Sequence, residues 1–140
     1  MSMIEPILLY CHPILLGSET LINRFQKVQD RAFKIVFGSK TINKWIAIET
    51  CINRLAILDV LRCLNGTAPS PYEDYFTRIE HKVNTRNNKK NVILPKFKTE
   101  SGRKSFMFQG GKLWNTLPTD LKNECSIVKF QSKVRDIYIE

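Results

Sequence analysis

Between Ile4 and Leu16 only Glu5 and His12 are strongly polar, and they do not make a polar face. A segment that is apolar on nearly all sides has to be covered by other elements. At this length it falls far short of the ~20 residues a bilayer span needs, and no basic leader precedes it as a signal peptide would require. It therefore predicts a helical core segment around which the rest of the chain must wrap. Pro6 suits an early helical position, whereas Pro13 should kink or divide the helix.

The clearest periodicity follows. Ser18 is a candidate N-cap, with Glu19 in the first turn. Leu21, Phe25, Val28, Ala32 and Ile35 recur at helical spacing as one apolar face, and Gly38 marks the C-terminal end. Arg24, Lys27, Arg31 and Lys34 repeat at three- and four-residue steps on another face. Such a stripe suits a phosphate backbone, and it equally suits a solvated helix surface. Trp45 to Leu64 reads as one or two further helices, with Ile48, Ile52, Leu55, Leu58 and Leu61 in register and Asn65-Gly66 as the stop.

Pro69-Ser70-Pro71 is a turn, after which Pro71 is expected to open a short helix over Tyr72–Phe76. Thr77 to Lys98 lacks helical periodicity. Asn84 to Asn91 reads as a loop or flexible arm. Val92-Ile93-Leu94 and Lys96-Phe97-Lys98 are extended pieces split by Pro95, an edge strand or small hairpin at most. Ser101 is the expected N-cap of a helix carrying Phe106, Gly110, Leu113 and Leu117 on one face. Gly110-Gly111 inside it costs about 1 kcal/mol per glycine relative to alanine, which suggests another backbone packed close by. In Trp114-Asn115-Thr116-Leu117-Pro118 the indole should dock in a core, Asn115 should turn the backbone and Pro118 should end the helix. Ser126 caps a last helix with Ile127, Phe130, Val134 and Ile137. The expected fold is mainly α: a bundle of about five to six helices with one irregular basic loop and at most a short β-hairpin. The division is 1–77 helical, 78–100 a basic, partly flexible connector, and 101–140 a C-terminal helical region packing on the first.

Charge is uneven. Of the net +9, the stretch from Arg78 to Lys104 holds nine Lys/Arg against Glu80 and Glu100, leaving only about +2 elsewhere. A concentrated basic excess favours a polyanionic partner, because cations that neutralise phosphates release counterions. The four cysteines (Cys11, Cys51, Cys63, Cys125) are scattered without Cys-x-x-Cys or paired-His spacing. They read as buried free thiols of a reduced, intracellular protein, with no metal and no cofactor expected. Catalytic chemistry is not legible. Tyr72-Glu73-Asp74-Tyr75 echoes a polymerase Tyr-x-Asp-Asp box but offers only one Asp in place, and its acids are better explained by a helix N-terminus. No phosphate-cradling glycine loop occurs, and His12 and His81 lack sequence neighbours for nucleophilic chemistry.

The order of motifs resembles the C-terminal, thumb and post-thumb region of reverse transcriptases from LINE-type, jockey-like non-LTR retrotransposons. Met3 to Cys11 resembles that family's "leY" helix. Phe25-Gln26-Lys27-Val28-Gln29-Asp30-Arg31-Ala32 resembles its "LexvQrrAxrii" helix, and Leu64-Asn65-Gly66 to Pro71-Tyr72 its "ilNgxxPxYl" step. Thr85-Arg86, Leu94-Pro95, Ser105-Phe106, Leu113 to Pro118 and Phe130 follow in family order, so the likeness covers nearly the whole chain. The resemblance implies a non-catalytic fragment of an RNA-directed DNA polymerase whose palm and fingers, with the metal-binding aspartates, would lie upstream of Met1. It implies sequence-nonspecific binding to RNA or DNA, with Arg24, Lys27, Arg31 and Lys34 facing the duplex. Arg86, Lys89 and Lys90 would form a phosphate-contacting arm, and Trp114 would be structural. The missing palm and fingers would be protein partners, and no membrane is expected. Two other readings stand beside this one: a protein-interaction module using the apolar Ile4–Leu16 segment, or a decaying retroelement remnant with no selected activity.

Overall fold

The computed structural model describes residues 4–38, 46–72, 74–79, 90–124 and 126–137, with the side chains of residues 4 and 5 left aside. Among them the chain forms α1 (Ile4–Leu9), α2 (His12–Leu15), α3 (Glu19–Phe37), α4 (Ile48–Leu64), α5 (Glu100–Arg103), α6 (Phe106–Thr116), α7 (Thr119–Lys122) and α8 (Ile127–Ile137). The expected mainly helical bundle is what forms. Only α3, α4, α6 and α8 exceed ten residues, and the higher helix count comes from short four- to six-residue pieces.

Helix α4 is the axis of the packing. Its buried residues include Ile48, Cys51, Ile52, Ala56, Ile57, Val60 and Leu61, which lie all round the helix rather than on one stripe. One side meets α1, α2 and α3, while α6 and α8 cover the rest. The helix ends as the Asn65-Gly66 pair dictates. Gly66 adopts φ 66°, its N–H donates to the Cys63 carbonyl, and the Thr67 N–H donates to the Arg62 carbonyl at 2.9 Å. That double closure is a Schellman cap, which needs the left-handed conformation glycine adopts freely.

The N-terminal apolar segment does divide at Tyr10-Cys11, with Pro13 in the first turn of α2. It is not covered on all sides, however. Leu15 and Leu16 are buried, yet Ile7, Tyr10 and Ile14 remain 73%, 85% and 72% exposed. Two short helices laid against α3 and α4 have one ridge facing in and one facing out, and no described element crosses the outer ridge. A polar tie fixes the pair. His12 Nε2 lies 2.7 Å from Asp59 Oδ2 on α4, and its Nδ1 lies 3.2 Å from the Leu9 carbonyl. Arg62 holds the other oxygen of Asp59 at 3.0 Å.

Helix α3 has its expected length and stops at Gly38, whose N–H donates to the Lys34 carbonyl. Its packed face is the expected one only in part: Leu21 and Phe25 pack against the core beside Ile22. Val28 and Ile35 are 51% and 79% exposed, whereas Gln29 and Phe33 are the buried residues. At about 100° per residue, the packed set is centred roughly 70° from the expected face. The cause is polar. Gln26 Oε1 accepts the Ile48 N–H at 2.9 Å, satisfying a donor at the start of α4. Gln26 Nε2 donates to Gln29 Oε1 and to Asp30 Oδ1. Gln26 therefore caps a neighbouring helix, and with Gln29 beside it claims interface that a hydrophobicity pattern assigns elsewhere.

After α4 the expected Tyr72–Phe76 helix does not form among the described residues. Tyr72 and Tyr75 close successive tight turns instead, through Tyr72 N–H to the Pro69 carbonyl and Tyr75 N–H to the Tyr72 carbonyl. Phe76 is drawn into the core edge-to-face with Phe106 at 5.4 Å, and residues 77–79 run extended. They pair antiparallel with the chain at Asn91–Ile93, joined by Ile79 N–H to the Asn91 carbonyl and Ile93 N–H to the Thr77 carbonyl, each 2.9 Å. This single bridge at Arg78 and Val92 is the only β pairing among the described residues.

The other edge of residues 90–92 is stitched to α6 and α7 by side chains. Trp114 Nε1 donates to the Lys90 carbonyl at 2.9 Å. Asn115 accepts the Val92 N–H at 2.9 Å and donates to the Val92 carbonyl at 3.1 Å. Lys122, buried on α7, donates through Nζ to Asn91 Oδ1 and to the Asn115 carbonyl, both at 2.9 Å. Burial pushes its ammonium down from the usual lysine value. Asn115 thus stays helical and turns no backbone; its amide acts as a one-residue strand partner for Val92. The turn falls at Leu117-Pro118, where α6 ends and α7 begins.

Two further expectations change in detail. Thr99, not Ser101, is the working N-cap: its hydroxyl accepts the Gly102 N–H and starts α5, and the chain restarts at Ser105 for α6. The Gly110-Gly111 pair is packed against side chains rather than another backbone. A Cβ on Gly111 would sit 2.7 Å from Leu94 Cδ2, and one on Gly110 would sit 3.2 Å from Val60 Cγ2. Trp114 and Phe130 of α8 stack at 5.9 Å in the centre of the core that α4, α6 and α8 share. Cys51 and Cys63 are buried and in no disulfide, as expected, whereas Cys11 is exposed and Cys125 lies outside the described residues.

Asn115→Ala removes both partners of the fully buried Val92 backbone, each orphaned group costing about 1–3 kcal/mol. A loss of roughly 2–4 kcal/mol in chemical denaturation is therefore expected. The Glu124–Lys133 pair, 2.8 Å apart between the end of α7 and α8, supplies a pH test. The Lys133 hydrogen bond and then its charge hold the Glu124 carboxyl below the ordinary glutamate value of 4.5. The stabilisation is complete above that value and is lost as pH falls through the lowered folded one. Lys133→Met should therefore be less stable than the parent at pH 7 and equal to it in strong acid, as read from melting temperatures across the pH range.

Candidate nucleic-acid interface

Because Leu21, Ile22 and Phe25 pack against α2 and α4, and Gln29 and Phe33 are buried, the opposite side of α3 is solvent-facing. Arg24, Lys27, Arg31 and Lys34 all lie there and all are exposed. On an ideal helix they fall within an arc of about 80°, centred opposite the packed face, and run about 15 Å along the axis. None forms an ion pair with another described residue. The nearest acid on the helix, Asp30, borders the stripe and takes a hydrogen bond from Gln26 at 2.9 Å. The stripe is thus a coherent row of uncompensated cations. The exposed Val28 and Ile35 form an apolar shoulder along one side of it.

The second expected group is not brought to this row by any described contact. Arg86 and Lys89 lie outside the described residues. Lys90 is described, and it is an anchor rather than part of a free arm: it is half-buried, and its carbonyl receives the Trp114 indole N–H. Two cations that sequence reading did not single out are better displayed. Lys96 and Lys98 are exposed on either side of Phe97, whose ring packs onto Gly102, where a Cβ would come within 2.6 Å. The out-in-out alternation of Lys96-Phe97-Lys98 was the available signal.

Other chemistry-bearing groups are engaged structurally. His12, Asp59 and Arg62 form a closed chain of contacts that ties α2 to α4. The Cys63 thiol, one turn after Asp59, is pushed up by burial and further by the Asp59 carboxylate, so it is not a poised thiolate. Asp74 is exposed in the tight turns after Pro71, and Glu73 lies outside the described residues, as does His81. Among the described residues no three His, Cys, Asp or Glu side chains converge as a metal site, and no helix is long and apolar enough to cross a membrane. Set against known proteins, the chain matches no family model, no curated protein and no solved structure.

Proposed function

We propose that this chain is a non-catalytic module that grips nucleic-acid backbone through α3. The observation that carries the reading is the row of Arg24, Lys27, Arg31 and Lys34, exposed along one side and without ion-pair partners among the described residues. Cations spaced along about 15 Å of a rigid helix neutralise successive phosphates at no cost in prior ion pairs. Phosphate contacts position a strand but read no bases, so this binding is sequence-nonspecific and accepts RNA or DNA. The likeness of the motif series to the thumb and post-thumb region of LINE-type, jockey-like reverse transcriptases agrees with that role. On this reading the chain is a fragment of such a polymerase, its palm and fingers are its protein partners, and Arg86, Lys89 and Lys90 add phosphate contacts of their own.

Salt dependence tests the reading directly. Filter binding to a mixed-sequence duplex should give a log–log salt slope of about −4 if four phosphates are neutralised. Arg31→Glu with Lys34→Glu should weaken binding and flatten the slope by roughly 2. A signal indifferent to salt, or none at low salt, rules the proposal out. The chain alone should also show no Mg²⁺-dependent primer extension, and any extension would overturn the non-catalytic assignment.

A second reading, a protein-interaction module, draws on the outward ridge of Ile7, Tyr10 and Ile14. The same charge-reversal variant separates the two, since it weakens nucleic-acid binding but leaves a hydrophobic contact through that ridge intact.

A further inference from the structure

We propose that a cleft beside the N-terminal end of the basic stripe is a nucleobase pocket, taking one unstacked, amino-bearing base while the strand's phosphates lie on α3. This rests on the backbone-gripping reading above and adds to it, where the nucleic acid is single-stranded, a preference for a base that carries an exocyclic amine. The cleft encloses about 360 Å³ where the turn between α2 and α3 meets α3, α4 and α6. That is the size range of small-molecule sites.

Its lining is of two kinds. Leu16, Ile22 and Leu113 supply apolar surface for a planar ring. The carboxamides of Asn23, Asn53 and Gln109 line it as well, and so do the carboxylates of Glu19 and Glu49. The side chains of Asn23, Asn53 and Glu49 form no hydrogen bond or ion pair with described residues. Gln109 uses its Nε2 on the Arg103 carbonyl at 2.7 Å, which leaves its oxygen available. The Gly17 wall is also held: a Cβ there would meet the Lys104 carbonyl oxygen at 2.8 Å and Gln109 Cγ at 3.2 Å.

Charge then sorts the parts of a nucleotide. Two carboxylates repel phosphate from the cleft, while Arg24 and Lys27, one and four residues beyond Asn23 on α3, attract it next door. A strand lying on the stripe therefore presents its sugar-base side to the cleft. Carboxamides pair with the donor–acceptor edge of adenine, and carboxylates accept from the exocyclic amine of cytosine. Guanine presents such an amine as well, whereas uracil and thymine flank a single ring N–H with two carbonyl oxygens that the carboxylates repel, and are disfavoured. The pocket thus supplies base preference that the stripe lacks.

Fluorescence anisotropy with C12, A12 and U12 RNA at one salt concentration tests the pocket. C12 and A12 should bind roughly tenfold more tightly than U12, the scale of one good base-edge contact. In Glu49→Ala with Asn53→Ala, checked for folding by circular dichroism, C12 and A12 should fall to the U12 level. A ¹⁵N spectrum provides a second readout, in which cytidine should shift the Asn53 and Gln109 side-chain amide signals and uridine should not. Equal affinities for the three oligomers, or a preference that survives in the variant, overturns the pocket and leaves the backbone reading standing. No binding of any oligomer at low salt overturns both.

Discussion

The pairing of the Asn115 side chain with the backbone of Val92 is the contact on which this architecture turns. A lone extended segment inside a helical protein has two edges of unpaired N–H and C=O groups, and leaving them buried is expensive. One edge is met by residues 77–79; the other has no strand beside it. Asn115 closes it with both functions of its amide, Trp114 adds an N–H to the Lys90 carbonyl, and Lys122 binds Asn91. Because Trp114 also stacks on Phe130, the same three-residue stretch joins the irregular middle of the chain to the helical core. The Gly110-Gly111 pair belongs to this arrangement, since side chains on α6 at those positions would displace Val60, Leu94 and Val92.

What sequence patterns revealed, and what they hid, follows the range of the forces involved. Local devices were legible: the break at Pro13, the Gly38 and Asn65-Gly66 stops, and the start of α8 at Ser126 all depend on residues within one turn of each other. The buried indole of Trp114 was legible too, because its size admits few alternatives. The partner of Asn115 was not, since it lies 23 residues earlier in the chain and nothing near Val92 advertises it. The rotation of α3 escaped for a related reason. Gln26 and Gln29 look like surface residues until α4 arrives with an uncapped N–H at Ile48. Thr99 and Ser101 were equivalent as caps by residue type, and the choice fell to the one whose hydroxyl reached a free N–H.

The candidate interface was legible as a spacing of cations along α3, and the packing of that helix decides what lies beside it. Had α3 packed on Leu21, Val28 and Ile35, its basic residues would still have been exposed, but Asn23 would have pointed elsewhere. Packing on Gln29 and Phe33 instead sets Asn23 beside the junction with α4 and α6, so the stripe and the polar cleft become neighbours. Charge along one helix and hydrogen-bonding groups at its foot thus follow from the same two glutamines.

The hydrogen bond from Ile79 to Asn91 has a consequence for the energetics of the junction it closes. It brings the two ends of the intervening stretch to within bonding distance, and the clasp from α6 and α7 holds the returning end in place. The entropy of closing that pairing depends only weakly on the length of chain between its ends, rising by about 0.6 kcal/mol per doubling. The energy of the junction is therefore set by the hydrogen bonds at its two ends and by the side chains of α6 and α7 that grip one of them.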